Sequence, residues 1–204
     1  MKIGIDVDGV LADFVRAYQP LFVSVTGRDL FHPGDIDNPP VWEWPTLRGY
    51  LHEETREVWN VILKDETFWF NLQPFAENCM AIMEFFHTGQ ADLHDVYFIT
   101  SRPGVDTKFQ TEQWLMTHPR VIDSTVLIAA HRTKGILAKA LQLDCYIDDN
   151  YDNCVDVVRE SPTTRCYLLH RSYNNGTDIN RVLDVERRRV PSVLQFLLKE
   201  GLIA

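Results

Sequence analysis

The chain has no C-x-x-C pair, no apolar run that could cross a membrane, no internal repeat and no low-complexity tract, and it is short of positive charge. Each absence removes a class of protein. Its 4 cysteines, Cys79, Cys145, Cys154 and Cys166, stand far apart, so neither a zinc knuckle nor a redox motif is indicated, and reduced thiols in a cytosolic protein are expected. Apolar stretches fall short of the roughly 18 residues that a spanning helix needs. The segment from Met1 to Phe14 holds three acids and no long apolar run, which argues against a secretory leader and for a soluble, cytoplasmic protein. Against 29 Asp and Glu there are only 20 Lys and Arg, a net charge of −9. Polymeric nucleic acid is therefore not an expected partner, since affinity for it rests on basic side chains neutralising phosphates. A small phosphorylated ligand stays open, because one metal ion or two basic side chains reverse the sign locally.

What is present is an ordinary globular composition, 45% hydrophobic and 24% charged over 204 residues, enough for one domain or one domain with an insertion. Short β-branched runs recur: Lys2 to Val7, Val96 to Thr100, Thr125 to Ala129, Cys145 to Asp148 and Cys166 to Leu169. Apolar through their length, they read as strands buried on both faces. Helical patterns lie between them, at Ala76 to Thr88 before Gly89, at Lys108 to Thr117 and at Ile136 to Leu143. Alternating strand and helix predicts an α/β fold with a parallel sheet and right-handed crossovers.

The segment from about Leu11 to Pro74 breaks this rhythm, being far longer than a normal crossover. Leu11, Phe14, Val15, Tyr18, Phe22 and Val25 keep helical spacing up to Gly27, with Pro20 expected to kink or break the helix. Pro39, Pro40 and Pro45 mark an irregular loop, and Val58, Trp59, Ile62 and Leu63 form a second helical stripe. The predicted organisation is a core of residues 1–14 and 75–204 with a helical cap at 15–74. The tail after Ser161 holds one strand, an Arg187-Arg188-Arg189 run read as a solvated turn, and a final helix from Pro191 to Glu200.

Asp6-Val7-Asp8-Gly9 closes the first strand. Residues two apart in an extended chain point to one side, so both carboxylates are expected at the carboxyl edge of the sheet, where open α/β folds bind ligands. A calcium loop is excluded, since its fifth position would be Val10 and its twelfth Ala17. An incidental acidic loop end is not excluded by the pair alone. Three later strand ends change the odds: Thr100-Ser101-Arg102-Pro103-Gly104 after Ile99, Lys134 shortly after Ala130, and Asp148-Asp149 after Ile147.

In this order the elements resemble the four motifs of the haloacid dehalogenase superfamily of phosphohydrolases. Asp6 to Phe14, Thr67 to Phe75, Ile99-Thr100-Ser101 and Ile147-Asp148-Asp149 are similar more narrowly to the 5′(3′)-deoxyribonucleotidases, over roughly residues 2–160. The resemblance implies a Rossmann-like core, a Mg²⁺ cofactor and release of phosphate from a deoxyribonucleoside monophosphate. It also implies that Asp6 is the nucleophile, forming an aspartyl phosphate, and that Asp8 is the acid and then the base, touching the metal through its backbone carbonyl. The physics agrees: like charges at ~4 Å repel by about 4 kcal/mol at an effective dielectric of 20, so a carboxylate approaches a phosphate only with help. Oxygen donors from Asp6, Asp8, Asp148 and Asp149 suit Mg²⁺, and Lys134 adds a compact positive charge. Thr100, with amides of Ser101 and Arg102, is placed to bond the transferring oxygens. A free aspartate titrates near about 3.9, so Asp8 as an acid needs an upward shift from burial or neighbouring carboxylates, while Asp6 stays ionised through the metal.

Other roles compete for some of these residues. One of Asp148 and Asp149 could cap a helix, Lys134 could be a solvated helix residue, and Arg102 divides between phosphate contact and surface. The 7 histidines show no ligand spacing. Specificity is expected in the cap, where Phe14, Phe68, Phe70, Trp69, Trp42 and Trp44 offer aromatic faces for a base, although most are expected to be core. The cap motif of the family is not matched cleanly around Val41 to Pro45, which leaves the nucleobase open. Alternatives are a phosphatase of the same mechanism on another small metabolite and a catalytically inactive nucleotide-binding domain. A homodimer is neither required nor excluded.

Overall fold

The structure, a computed structural model, describes residues 1–30, 49–174 and 188–203. Trp42, Trp44 and the prolines at 39, 40 and 45 lie outside the described residues, as does Arg187. Among the described residues, six parallel strands form the sheet: β1 (Lys2–Ile5), β4 (Asp95–Thr100), β5 (Thr125–Ile128), β6 (Cys145–Asp148), β7 (Arg165–Leu169) and β8 (Arg189–Val190), in the order β5-β4-β1-β6-β7-β8. Of the arginine run read as a turn, Arg188 does lie in a turn, while Arg189 opens β8. Arg189 pairs with Leu168 and Val190 with Leu169, and two residues are too few to show a period.

The apolar strands behave as a doubly covered sheet requires. Successive side chains alternate between two packed clusters: Phe98, Ile147, Tyr167 and Leu169 in one, Ile99, Tyr146, Cys166 and Leu168 in the other. Helices α3 (Ala76–His87), α4 (Thr107–Thr117), α5 (Lys134–Leu141) and α7 (Val193–Lys199) follow the predicted patterns to within a few residues, and α6 (Tyr151–Glu160) is a further helix after β6. All four cysteines are free and buried. Among the described residues no helix is long and apolar enough to cross a membrane.

The inserted segment carries α1 (Phe14–Thr26) and α2 (His52–Ile62). It leaves and returns at one place, because β2 (Ala12–Asp13) pairs antiparallel with β3 (Gln73–Pro74). Asp13 starts α1 by accepting a hydrogen bond from the Arg16 amide at 3.1 Å, and Gly27 ends it with φ 70°. Of the kink or break expected at Pro20, the break does not occur: α1 runs through the proline, which sits on the exposed face while Phe14, Val15, Tyr18 and Phe22 are buried on both sides of it. That packing outweighs one lost backbone hydrogen bond. Phe14, Tyr18, Phe22, Val58 and Ile62 join the same cluster as Ile3 and Ile5.

Candidate active site

Parallel pairing of β1 and β6 places their carboxyl ends side by side: Ile5 stands opposite Ile147, and the Asp6 amide donates to the Ile147 carbonyl at 3.0 Å. The next residues are therefore brought together by backbone alone. Asp6, Asp148 and Asp149 are all buried, and one carboxylate oxygen of each lies within 4.8 Å of the others. Gly9, at φ 77°, makes the turn that follows β1, and a Cβ there would lie 2.1 Å from the Asp149 Oδ2. Only glycine lets the motif loop and the second acid of the pair share this space.

Lys134 opens α5 and is buried beneath the acids. Its Nζ donates to Asp6 Oδ1 at 2.6 Å and Asp148 Oδ2 at 2.8 Å. The start of that helix is anchored through the Gly135 amide, which donates to Asp156 Oδ2 at 2.7 Å on α6. Asp148 is saturated: besides Lys134, Oδ2 accepts from Tyr146 Oη at 2.6 Å, and Oδ1 accepts from the Asn150 amide at 2.8 Å. Asn153 Nδ2 reaches both oxygens, at 3.2 and 3.1 Å. Neither aspartate caps α6; Asn150 does, accepting from the Asn153 amide at 3.2 Å.

The electrostatics are those of a site with surplus negative charge. Burial first, and then Asp148, push Asp6 well above the usual carboxylate range, with Lys134 opposing. Burial and Asp148 likewise push Asp149 up to about 7. Burial disfavours the Lys134 ammonium, but Asp148 and Asp6 outweigh it and hold the lysine well above its ordinary value. Three carboxylates around one ammonium are short of positive charge, and a divalent cation with a taste for hard oxygen donors is the complement that the donor set fits.

Asp8 has a different setting. Arg102, buried and two residues past the end of β4, grips its carboxylate with Nε at 3.1 and 3.0 Å and Nη2 at 2.8 Å. Thr100 Oγ1 donates to Asp8 Oδ2 at 3.1 Å. The guanidinium is itself held by Thr111 Oγ1 at 3.0 Å and lies 5.2 Å from the Trp69 ring centroid. The nearest charged partner of Asp8 is thus a guanidinium rather than the carboxylate neighbour expected from the sequence, and the Thr100 hydroxyl points at Asp8.

One cavity joins these groups. It is lined by Asp6, Asp8, Thr100, Ser101, Arg102, Lys134 and Asp149 on the polar side and by Phe14, Trp59 and Trp69 on the other. Phe14 stacks on both tryptophans at centroid distances of 5.8 Å, with ring planes 15° and 20° apart. Phe68 packs edge-on against Phe14 and Trp69 without lining the cavity, and Phe70 is 37% exposed. Trp44 lies outside the described residues. The sequence marks Trp59 only as part of a helical stripe; its place in the wall depends on α2 folding back over α1, a contact that local spacing does not encode.

Over residues 1–187 the sequence matches the family model described as 5′ nucleotidase, deoxy (pyrimidine), cytosolic type C protein. No curated protein matches it. Among solved structures it is similar to a HAD family hydrolase from Deinococcus radiodurans R1 with bound phosphate and sodium. The TM-score is 0.62 at 11% identity, covering 100% of this chain and 97% of that one. A hydrolase from Pseudomonas syringae follows, with TM-score 0.54, 13% identity and coverage of 100% and 99%. A HAD hydrolase of family IA, variant 3, from Entamoeba histolytica HM-1:IMSS gives TM-score 0.53 at 9% identity, with coverage of 98% and 97%. At such identities the structural likeness shows the haloacid dehalogenase fold alone, and the family match carries the rest: the chain belongs to the cytosolic type C 5′-nucleotidase family and is a phosphatase that acts on nucleotides.

Proposed function

We propose that the chain is a Mg²⁺-dependent hydrolase of deoxyribonucleoside monophosphates that works through an aspartyl phosphate on Asp6. The observation that carries this reading is the opening of the buried Asp6–Lys134–Asp148–Asp149 cluster into the same cavity as the Phe14–Trp59–Trp69 wall. Asp6 and Asp149 would hold the cation, with the backbone carbonyl of Asp8 as the family pattern has it, while Asp148, already saturated by five contacts, keeps Lys134 and the α6 start in place. When bound, Mg²⁺ supplies the positive charge that keeps Asp6 ionised and screens it from the phosphate.

Asp6 attacks phosphorus in line; the P–O bond to the sugar breaks as the Asp6–phosphorus bond forms. Asp8 gives a proton to the departing sugar oxygen. Water then attacks the aspartyl phosphate, Asp8 takes a proton from it, and inorganic phosphate leaves with Asp6 restored. Lys134 stays beside the nucleophile throughout as a fixed positive charge. The aromatic wall receives the base by stacking, worth about 1–3 kcal/mol per face. Residues 15–74 act as the cap that carries Trp59 and Trp69, on a core of 1–14 and 75–204 whose last residue before the cap, Phe14, completes the wall, and a cytosolic location goes with the family's description.

Phosphate release over a panel of monophosphates tests the reading. Deoxynucleotides in Mg²⁺ should be the best substrates; sugar phosphates outpacing every deoxynucleotide would reject it in favour of another small metabolite.

A further inference from the structure

The turn after β7 has no assigned role, yet it grips both loops that carry the acids. In the short 3₁₀ helix Ser172–Asn174, Tyr173 Oη donates to Asp149 Oδ2. Asn174, buried, donates through Nδ2 to the Asp149 carbonyl at 2.8 Å and to the Leu169 carbonyl at 2.7 Å. Arg171 donates through Nε to the Gly9 carbonyl at 2.7 Å and lies 3.8 Å from the Phe75 ring centroid. Arg189 on β8 in turn donates to Asn174 Oδ1 at 2.6 Å and to its carbonyl at 3.1 Å. One turn is thus tied to Asp149 by side chain and backbone, to the loop after Asp8, and to the outer strand.

We propose that Arg171, Tyr173 and Asn174 form a strap that positions Asp149 for the cation, with Tyr173 as its contact to the carboxylate. The inference rests on the reading of Asp6 and Asp149 as metal-binding. A carboxylate ligand that accepts one O–H bond keeps its other lone pairs directed, and Asp149 Oδ2 is otherwise wedged against Gly9, where even a methyl group would not fit. Neighbours of this kind set metal affinity by about 10–100-fold without touching the ion. The tail therefore does more than cover the sheet: it completes the site from the far side of the chain.

The test is Tyr173→Phe, which removes one hydroxyl and keeps the ring. Mn²⁺ is titrated into the full chain without substrate, and free Mn²⁺ is read by electron paramagnetic resonance. The strap predicts Mn²⁺ binding weakened about tenfold or more, against a far smaller change in the melting temperature in chelator. Equal affinity in variant and parent overturns it. Should Tyr173→Phe fail to fold, Arg171→Lys carries the same titration: weakened Mn²⁺ binding supports the strap and unchanged binding overturns it. A parent protein that takes up no Mn²⁺ overturns the metal reading beneath, and the strap with it.

Discussion

The two walls of the cavity are made in different ways. The polar wall hangs on strand ends: Asp6 follows β1, Asp148 ends β6, and the register between them is set by backbone hydrogen bonds. The aromatic wall hangs on helices and loops of the inserted segment: Phe14 begins α1, Trp59 lies in α2 and Trp69 precedes β3. On the proposed reading, chemistry common to every phosphate monoester sits on the rigid sheet, and the groups that would face the rest of the substrate sit on an element that can vary without disturbing it. Substitutions on the polar wall should damage all substrates alike, and those on the aromatic wall should discriminate between them.

The largest effect is expected at Asp6. Asp6→Asn should lower turnover by about three orders of magnitude or more for nucleotides and for p-nitrophenyl phosphate alike, as steady-state phosphate release would record. Chelation of divalent cations should do the same to the parent protein, reversibly. Arg102 comes next. Arg102→Lys exchanges a two-pronged grip on Asp8 for a point charge, so kcat on a deoxynucleotide should fall about 10–100-fold, with a melting curve showing a folded protein. No loss would mean that the grip is incidental. Trp59→Ala should raise KM for a deoxynucleotide by about tenfold, the worth of one stacking face, and change p-nitrophenyl phosphate hydrolysis much less. An equal change in both would reduce the aromatic wall to scaffold.

The smallest effect lies away from the cavity. Glu200 accepts from Arg165 Nη2 at 2.6 Å and from Tyr167 Oη at 2.5 Å. Burial alone would raise its pKa, but these two donors outweigh it and hold Glu200 below its ordinary 4.5. A depressed folded value means that the pair stabilises the fold above the unfolded value and that this contribution is lost as pH falls through the folded one. Glu200→Gln should therefore cost about 1–2 kcal/mol near neutrality and progressively less as the medium is acidified, with kcat unaltered. Thermal melts across pH would show it, and a difference that grows in acid would contradict the sign.

The contrast between the walls also explains what could be read from the sequence. Buried strands announce themselves as apolar β-branched runs, and a strand end is a definite place, so Asp6, Lys134, Asp148 and Asp149 could be put in one neighbourhood before any coordinates. Partners that meet across the fold could not. The Arg102 grip on Asp8 spans 94 residues, the Arg171 bond to Gly9 spans 162, and both depend on strand order rather than local pattern. Trp59 and Phe70 were equally aromatic in the sequence; only the fold-back of α2 puts one in the wall and leaves the other to solvent. Asn150, a good cap residue just before the apolar stripe of α6, is legible as the cap from sequence, although the acid pair beside it offers the same chemistry.

The claim on which most depends is the transient phosphorylation of Asp6. Mixing the protein with Mg²⁺ and a deoxynucleotide, quenching in acid within the first turnover and mapping the peptides by mass spectrometry should find a phosphoryl group on the Asp6 side chain, absent in Asp6→Asn. A phosphoryl group on another residue, or nucleoside released in that turnover with no phosphorylated protein at any quench time, would contradict it.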